Sequence, residues 1–252
     1  EELRPLLFRL DQQNRQIQKQ LEDLKNAESA RKEFTANVSH ELKTPLMSIS
    51  GYAEIMMNGM VPPDKMQDFS GRIFHESERL SNLVADIIQL SRLDEKNGET
   101  MFEQVDIGEL GEDVINNLQN RAAKKKINLE YTGGPAQMQG VRHVLYEMFY
   151  NITDNAIRYT PDGGDVKVFV GKLNGKPYFR VEDNGIGIPE SEQQRIFERF
   201  YRVDKSHSRE TGGTGLGLSI VKHGAVLHHA KILLDSEPGK GTKMEILFDQ
   251  TK

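Results

Sequence analysis

Cysteine is absent from all 252 residues of the sequence. There is therefore no disulfide framework, no thiolate metal site and no cysteine nucleophile. No apolar run approaches the roughly 18–20 residues that a membrane span needs, and no signal peptide is recognisable. Positive charge is not in excess either: the net charge of −5 argues against a nucleic-acid-binding surface. We therefore expect a protein of a reducing, cytoplasmic compartment that does not bind nucleic acid.

The length suggests one to two domains with enough core to fold unaided. Charged residues make up 28% of the chain and hydrophobic residues 37%, an ordinary soluble balance. The sequence starts at Glu1 inside a helical pattern and without an initiator Met. We interpret it as a fragment of a longer protein.

One amphipathic helix pattern organises the chain, and it contains His40. Its apolar positions recur at three- and four-residue spacing and leave His40 off the apolar stripe, where water or another domain can reach it. Thr44 stands one helical turn beyond His40 on the same side, and Pro45 should kink the helix there. A neutral imidazole beside an acid, here Glu41, is a nucleophile that a base can activate. The apolar positions are Phe34, Val38, Leu42, Leu46 and Ile49.

Residues 3–28 carry a short heptad seam of Leu and Ile with Asn14 inside it. A helix that packs on its own domain and a parallel dimeric coiled coil both fit this seam, and we favour the coiled coil. The helix around His40 should continue to about Met57, and the breaker-rich residues 58–64 should lead into a second helix over 65–93, with Asp64 as its N-cap. A lone hairpin buries too little surface, so two copies are expected to pair as a four-helix bundle.

The residues after a polar linker at 94–100 read as a mixed α+β domain, with helices covering one face of a sheet. Asn174-Gly175 predicts a tight hairpin between two of the strands. We therefore expect a coiled-coil helix over 1–30, a dimerising helical hairpin over 31–96 and a catalytic domain over 97–252. Helices are predicted at 108–125, 141–159 and 216–228, and strands at 101–107, 127–132, 165–173, 177–183, 231–236 and 242–248.

Three motifs in this domain predict a nucleotide site. Asn151 and Asn155 lie four apart on one helix face, and amide oxygens suit Mg²⁺, which binds together with nucleotide phosphates. Asp183-Asn-Gly185-Ile-Gly187 follows a strand, and Gly212-Gly-Thr-Gly215-Leu-Gly217 opens a helix. Glycines let backbone N–H groups approach phosphate, and a helix N-terminus favours negative charge. The pattern is neither a Walker loop, which ends in Lys-Ser/Thr, nor a dinucleotide motif.

The string Ser39-His40-Glu41-Leu42-Lys43-Thr44-Pro45-Leu46 resembles the phosphoacceptor box of bacterial two-component sensor histidine kinases. The three later motifs resemble, in order, the N, G1 and G2 boxes of their ATP-binding domain, a fold of the GHKL type shared with gyrase, Hsp90 and MutL-type ATPases. Phe197-Glu-Arg-Phe200-Tyr-Arg202 resembles their F box. The resemblance covers about residues 30–250 and points to the PhoR-like class, with a HisKA domain followed by a HATPase_c domain.

This resemblance implies an ATP- and Mg²⁺-dependent kinase that phosphorylates its own His40 and passes the phosphoryl group to a response-regulator receiver domain. It also implies a homodimer, a full-length protein anchored in the cell membrane, and a phosphatase activity in which Thr44 orients water. Glu41 is the implied base or orienting partner, Asp183 the partner of the adenine amino group, and Asn151 and Asn155 the metal ligands. Residues 188–212 would be a lid over ATP. The remaining implied nucleotide contacts are Arg158, Tyr159, Gly185, Gly187, Arg199, Arg202, Gly213, Thr214, Gly215, Leu216 and Gly217.

Asn151 distinguishes a histidine kinase from a conformational ATPase, which is the main alternative. Hydrolytic relatives carry a water-activating glutamate at that position, and an amide cannot act as a base. A conformational ATPase, a nucleotide-binding scaffold without activity and a protein-serine kinase on the same fold remain the alternatives.

One turn departs from the family pattern. The family usually has Leu-His-Gly-Gly where this chain has Leu227-His228-His229-Ala230. A turn that needs positive φ must therefore be made by His229 or by an altered backbone.

Overall fold

The computed structural model describes residues 3–94, 101–203 and 213–249. Two long helices, α1 (Leu3–Met57) and α2 (Met66–Asp94), precede a mixed α+β region. Contacts divide the chain into two units, one that ends at Leu80 and one that begins at Ser81. The predicted order of a helical region followed by an α+β domain is confirmed. Most of the linker predicted at 94–100 lies outside the described residues, as do 204–212 of the predicted lid. Among the described helices, none is long and apolar enough to cross a membrane.

In the first unit, α1 and the start of α2 form an antiparallel hairpin. The Tyr52 and Phe69 rings meet edge to face at 5.6 Å, and Arg79 reaches back to Glu41. Helix α1 runs through Pro45 without interruption and ends at Met57, and Gly59 follows with a φ of 67° that suits glycine. The amides of Gly59 and Met60 then bond the carbonyls of Met56 and Ile55, which is a Schellman cap.

The expected N-cap of the second helix is wrong. Asp64 lies inside a short 3-10 turn, Pro63–Lys65, and the residue that precedes this turn is Pro62, which makes no side-chain cap. Two consecutive prolines restrict the backbone there, and the α-helical hydrogen bonds begin only after the turn.

The strands are β1 (Glu103–Asp106), β2 (Asn128–Gly133), β3 (Gln137–Gly140), β4 (Asp165–Leu173), β5 (Lys176–Asp183), β6 (Ala230–Glu237) and β7 (Gly241–Phe248). The second unit is built on a five-stranded sheet of order β2-β4-β5-β7-β6. Strand β2 pairs parallel with β4, and the other neighbours are antiparallel. Asn174 and Gly175 both have positive φ (52° and 79°), so the predicted tight hairpin between β4 and β5 is confirmed.

Three helices supply the apolar layer that packs on the sheet. They are α3 (Ile107–Lys124), α4 (Arg142–Tyr159) and α5 (Gly217–Leu227). Phe149 of α4 stacks on Phe179 of β5 with ring centroids 3.9 Å apart, and Phe248 of β7 meets the Phe149 ring edge-on. Strand positions alternate, so that Val166, Val168 and Val170 are buried while their neighbours on β4 are more exposed. Helix α4, which carries the predicted N box, is thus fixed in the core.

Strand β3 was not predicted. It is short and polar, follows Gly133-Gly134-Pro135 and pairs with β1. Asp106 stabilises this corner, because its carboxylate accepts hydrogen bonds from the amides of Gly108 (2.9 Å) and Ala136 (3.0 Å) and so caps α3.

The unusual turn after α5 is made as the sequence suggested: His229 adopts a φ of 51°. The preceding residue, His228, is buried, and its two ring nitrogens have separate partners. Nε2 accepts from the Val141 amide at 2.9 Å, so Nδ1 carries the proton and donates to the Gly224 carbonyl at 2.8 Å. The ring therefore belongs in the neutral state.

Protonation of His228 should destabilise the second unit. Burial, together with the positive charge of His229 and His143 when they are protonated, lowers the pKa of His228 below its ordinary value of 6.5, and the hydrogen bond to the Gly224 carbonyl opposes this shift in part. The neutral His228 ring therefore contributes stability that is present above the unfolded-state pKa and is lost as pH falls through the folded-state pKa. Each unit by which the folded-state pKa lies below the unfolded-state pKa corresponds to about 1.4 kcal/mol. The free energy of unfolding should therefore fall more steeply between pH 7 and pH 5 in the wild type than in His228→Gln. His75→Gln, which removes an exposed histidine of the first unit, should keep the wild-type slope; identical slopes for all three proteins would contradict the assignment.

Candidate functional site

Helix α4 presents the predicted N-box residues along one side. Asn151 uses its amide nitrogen to donate to the Glu147 carbonyl at 2.9 Å, one turn earlier. Its Oδ1 therefore points the other way, and a Cβ added to Gly217 would lie only 2.5 Å from it. The N box and the G2 loop thus meet, and a larger residue at Gly217 would displace the Asn151 side chain.

Lys125, the residue that follows α3, caps the C-terminal end of α4 with its side chain and was missed by the sequence reasoning. Its ammonium donates to the carbonyls of Ile157 (3.0 Å), Arg158 (2.9 Å) and Thr160 (2.5 Å). The last four carbonyls of an α-helix generally lack intrahelical partners, and a cation is favoured at that end. The lysine is more than thirty residues away from them, and nothing in its local sequence distinguishes it from Lys124 and Lys126.

The G1 segment forms a hydrogen bond to the last residue of α4, Tyr159. The Ile186 amide donates to the Tyr159 carbonyl at 3.2 Å. A Cβ at Gly185 would lie 2.6 Å from that same oxygen, so this close approach requires glycine. At Gly187, φ is 70° and a Cβ would collide with the Glu237 carbonyl. Both predicted G1 glycines therefore have a structural reason to be glycine.

Asp183 lies at the end of β5 with one carboxylate oxygen committed to the backbone. Its Oδ1 accepts from the amides of Gly185 (2.9 Å) and Thr242 (3.2 Å). Burial raises the pKa of this carboxyl, and the two amide bonds partly offset the rise. Among the hydrogen bonds described, both use Oδ1, so Oδ2 can accept from a ligand such as an exocyclic amine.

The G2 loop precedes α5 and is anchored by the F box. Gly215 has a φ of 75°, and its carbonyl accepts from the Phe200 amide at 2.8 Å. Leu216 is fully buried, whereas Gly213, Thr214 and Gly217 are partly exposed. A Cβ at Gly213 would lie 3.2 Å from a guanidinium nitrogen of Arg158. The described part of the loop and the N-box arginine therefore form one surface.

Arg158 is held by Asp154, a buried residue that the sequence reasoning did not select. Asp154 pairs with Arg158 at 3.0 Å and with Arg121 of α3 at 2.6 Å. A carboxylate between two guanidinium groups fixes the orientation of Arg158, whose side chain is only 12% exposed. Its i,i+4 spacing to Arg158 was a signal that could have been used.

The two lid arginines differ in their described contacts. A guanidinium nitrogen of Arg199 lies 3.1 Å from Nε2 of His223 on α5, and Nδ1 of that histidine bonds the Ser219 carbonyl. Arg202 is half-buried near the end of the described segment. Two short 3-10 turns, Glu190–Glu192 and Arg195–Phe197, make up the start of the predicted lid.

The phosphoacceptor candidates lie on α1 in the first unit. The His40 side chain is 79% exposed, as predicted, and its Nδ1 is 3.9 Å from the Glu41 carboxylate. Thr44 donates its hydroxyl to the His40 carbonyl at 3.2 Å, which confirms that the two residues are one turn apart. An exposed imidazole next to a carboxylate can serve as a nucleophile.

Arg79 of α2 was also missed. Its guanidinium is 14% exposed and lies 3.5 Å from the Glu41 carboxylate, with Glu76 at 3.7 Å on its other side. Arg79 therefore restrains the acid that neighbours His40. The two residues are 38 positions apart, and only the hairpin register brings them together.

The residues of the second unit fit Mg-ATP. Neutral amide oxygens of Asn151 and Asn155 suit Mg²⁺, glycines leave room for phosphate against a helix N-terminus, and the remaining Asp183 oxygen suits an amino group. Asp183 and the G2 loop, which were predicted separately, lie in the same unit as α4 and its Arg158.

Comparison with known families matches both regions. Residues 30–96 match the His Kinase A (phospho-acceptor) domain, and residues 140–252 match the histidine kinase-, DNA gyrase B- and HSP90-like ATPase family. The ATP-binding domain is therefore of the histidine-kinase and Hsp90 type, and it uses ATP.

Individual relatives agree with this. The chain is 39% identical over 217 residues to the sensor-like histidine kinase SenX3 of Mycolicibacterium smegmatis. The matched region covers 85% of this chain and 56% of SenX3. It is similar to the structure of the mycobacterial sensor histidine kinase MprB (30% identity, TM-score 0.52), covering 59% of this chain and 97% of that one. It is also similar to full-length ShkA in complex with AMPPNP (26% identity, TM-score 0.62, 86% of this chain and 45% of ShkA).

The chain spans little more than half the length of SenX3. Both of its regions nevertheless match in the order expected for one kind of protein. The chain belongs to the family of sensor histidine kinases.

Proposed function

We propose that this chain is the catalytic core of a two-component sensor histidine kinase. It transfers the γ-phosphoryl group of ATP to His40, and then to an aspartate of a response-regulator receiver domain. The observation that carries this proposal is the exposed His40 beside Glu41, in a chain that also matches an ATPase family and has the amide Asn151 in its N box. The receiver as partner is inferred from family membership.

The geometry around His40 favours one of its nitrogens. Nδ1 faces the Glu41 carboxylate at 3.9 Å, so a proton on Nδ1 is stabilised and the lone pair is on Nε2. Nε2 then forms the N–P bond while the bond from the γ-phosphorus to its bridging oxygen breaks and ADP leaves. Glu41 stabilises the positive charge that develops on the ring and accepts the Nδ1 proton. Arg79 keeps the carboxylate in place for this role.

Asn151 and Asn155 would hold Mg²⁺, which when bound neutralises charge on the transferring phosphoryl group. As amides they cannot remove a proton from water. Arg158, held by Asp154, and the G2 loop add positive charge and backbone N–H groups. ATP therefore persists until it meets a histidine.

Homodimerisation is part of the proposal. Ile17, Leu21 and Leu24 lie in the heptad seam of α1 and are 52%, 63% and 69% exposed in the single chain. Phe74 on α2 is also exposed, at 60%. Burial of such a seam against a second copy would stabilise both, as a coiled coil continued by a four-helix bundle does.

Incubation with γ-labelled ATP and Mg²⁺ tests the kinase. Label bound to the protein should survive alkali and be lost in acid, which is the behaviour of a phosphoramidate, and Asn155→Ala should abolish it. Release of free phosphate without protein-bound label would instead favour the rival conformational ATPase.

A phosphatase activity toward the phosphorylated receiver is the second candidate. Thr44 lies one turn from His40, and its hydroxyl is tied only to a backbone carbonyl among the hydrogen bonds described. It could rotate to orient a water molecule.

Thr44→Ala should slow dephosphorylation of a labelled receiver by roughly tenfold or more, because removal of a positioning group typically costs 10–100-fold. Thr35→Ala is a matched control: Thr35 is exposed on the same helix and donates to the Arg31 carbonyl in the same way. A Thr44→Ala protein that dephosphorylates the receiver normally would remove this second activity.

A further inference from the structure

The last turns of α2 contact the G2 loop directly. The Thr214 hydroxyl donates to the Asp86 carboxylate at 2.6 Å. The same hydroxyl oxygen accepts from the Leu216 amide at 3.3 Å. Both Asp86 and Thr214 belong to the second unit. One hydroxyl thus links a helix carboxylate to the backbone of the G2 loop.

A second contact lies beside the first. Gln89, three residues after Asp86, hydrogen-bonds the Glu147 carboxylate of α4. Glu147 is one turn before Asn151 and accepts the Asn151 amide through its carbonyl. Leu83 and Leu90, which share the Asp86 side of α2, are both buried. The segment from Ser81 to Leu90 is therefore attached to the G2 loop and to the N-box helix at once.

This contact brings negative charge to a loop suited to anions. The Asp86 carboxylate is influenced by the positive charge of Arg158 and by the negative charge of Asp154, and it also acts on Glu147. Burial raises the pKa of Asp86, while the Thr214 hydroxyl and Arg158 lower it. Asp86 therefore interacts with the Thr214 hydroxyl and with the charge of Arg158, two groups that are among the proposed nucleotide contacts.

We infer that Asp86 determines how the site discriminates between ATP and ADP. Its carboxylate competes with the γ-phosphate for Thr214 and Arg158, so ATP binding and the Asp86–Thr214 hydrogen bond oppose each other. ADP has no γ-phosphate and is compatible with the contact. ATP would therefore release the end of α2 from the loop, whereas ADP would leave it attached.

The inference rests on the proposed nucleotide site but not on phosphorylation of His40. The test measures dissociation constants for AMPPNP and ADP, each with Mg²⁺ at pH 8, by titration calorimetry on the full chain. Asp86→Asn removes the charge and keeps an oxygen that accepts from Thr214. Asp235→Asn is the control, because it makes the same charge change at an exposed position on β6.

Asp86→Asn should bind AMPPNP about five- to tenfold more tightly, as expected for removal of one repulsive charge near a phosphate. Its affinity for ADP should change less than twofold, and Asp235→Asn should match the wild type for both ligands. An unchanged ratio of the two affinities, or weaker AMPPNP binding, would overturn the role of Asp86. Failure of the wild type to bind either nucleotide would instead refute the nucleotide site itself.

Thr214→Ser and Thr214→Val provide an independent readout. Hydrogen exchange of the α2 amides at 81–90 should be slow with ADP and faster with AMPPNP in the wild type and in Thr214→Ser. In Thr214→Val it should be fast with both ligands, because the donor is gone. Equal protection with both nucleotides in the wild type would contradict competition between the γ-phosphate and Asp86.

Discussion

His40→Gln is expected to eliminate protein-bound phosphate, with a loss of at least about 1,000-fold, the order seen when a nucleophile is removed. Glutamine has no basic lone pair on its amide nitrogen and cannot form the N–P bond. The side chain is 79% exposed, so the substitution removes no packing. Nucleotide affinity should stay unchanged, since His40 is not among the residues proposed to bind ATP.

His75→Gln is a closely matched control. His75 is also 79% exposed, lies on the partner helix of the hairpin and has a glutamate, Glu78, at 3.6 Å. It lacks only the surrounding phosphoacceptor box. His75→Gln should be labelled as the wild type is, whereas equal loss in both variants would point to damage of the hairpin. Full labelling of His40→Gln would place the phosphoryl group on another residue.

Asp183→Asn should weaken ATP and ADP binding by about 10- to 100-fold, from the roughly 1.5–3 kcal/mol of a hydrogen bond to a charged group. An asparagine oxygen can still accept from the Gly185 and Thr242 amides that hold Oδ1. Its nitrogen then replaces Oδ2, so that a donor faces the adenine amino group, which is itself a donor. The fold is retained while recognition is lost.

Calorimetric titration of the variant with ADP gives the affinity directly, and a thermal unfolding midpoint close to that of the wild type verifies the fold. Asp235→Asn again controls for the charge change. GTP, which has a carbonyl oxygen where ATP has the amino group, should bind relatively better to Asp183→Asn than to the wild type. An unchanged affinity for ADP would mean that Asp183 acts only on the backbone of its own turn.

The phosphoacceptor residues and the nucleotide site could be predicted from the sequence to different degrees. His40, Glu41 and Thr44 are neighbours on one helix, so their relation follows from helical spacing. The N, G1 and G2 boxes were each visible as local patterns, yet their assembly depends on α4 meeting the ends of β5 and the start of α5. The roles proposed for individual residues in ATP binding stay predictions that the experiments above address.

What the sequence by itself determined is local. Apolar periodicity defined the long helices and the α+β order, and Asn174-Gly175 defined a hairpin. The missing glycine after His228 left either a positive φ at His229 or an altered backbone, and His229 adopts the positive φ. These features depend on residues a few positions apart, which the chain encodes through helical and strand periods and through turn preferences.

Only the tertiary structure decided which distant residues support the site. Arg79 restrains Glu41 across 38 positions, and Asp86 accepts from Thr214 across 128. Lys125 caps a helix that ends more than thirty residues later. A lysine or arginine in a polar helix looks the same in sequence whether it is solvated or paired. Its partner is chosen by the packing of the core, which sets where each side chain ends in space.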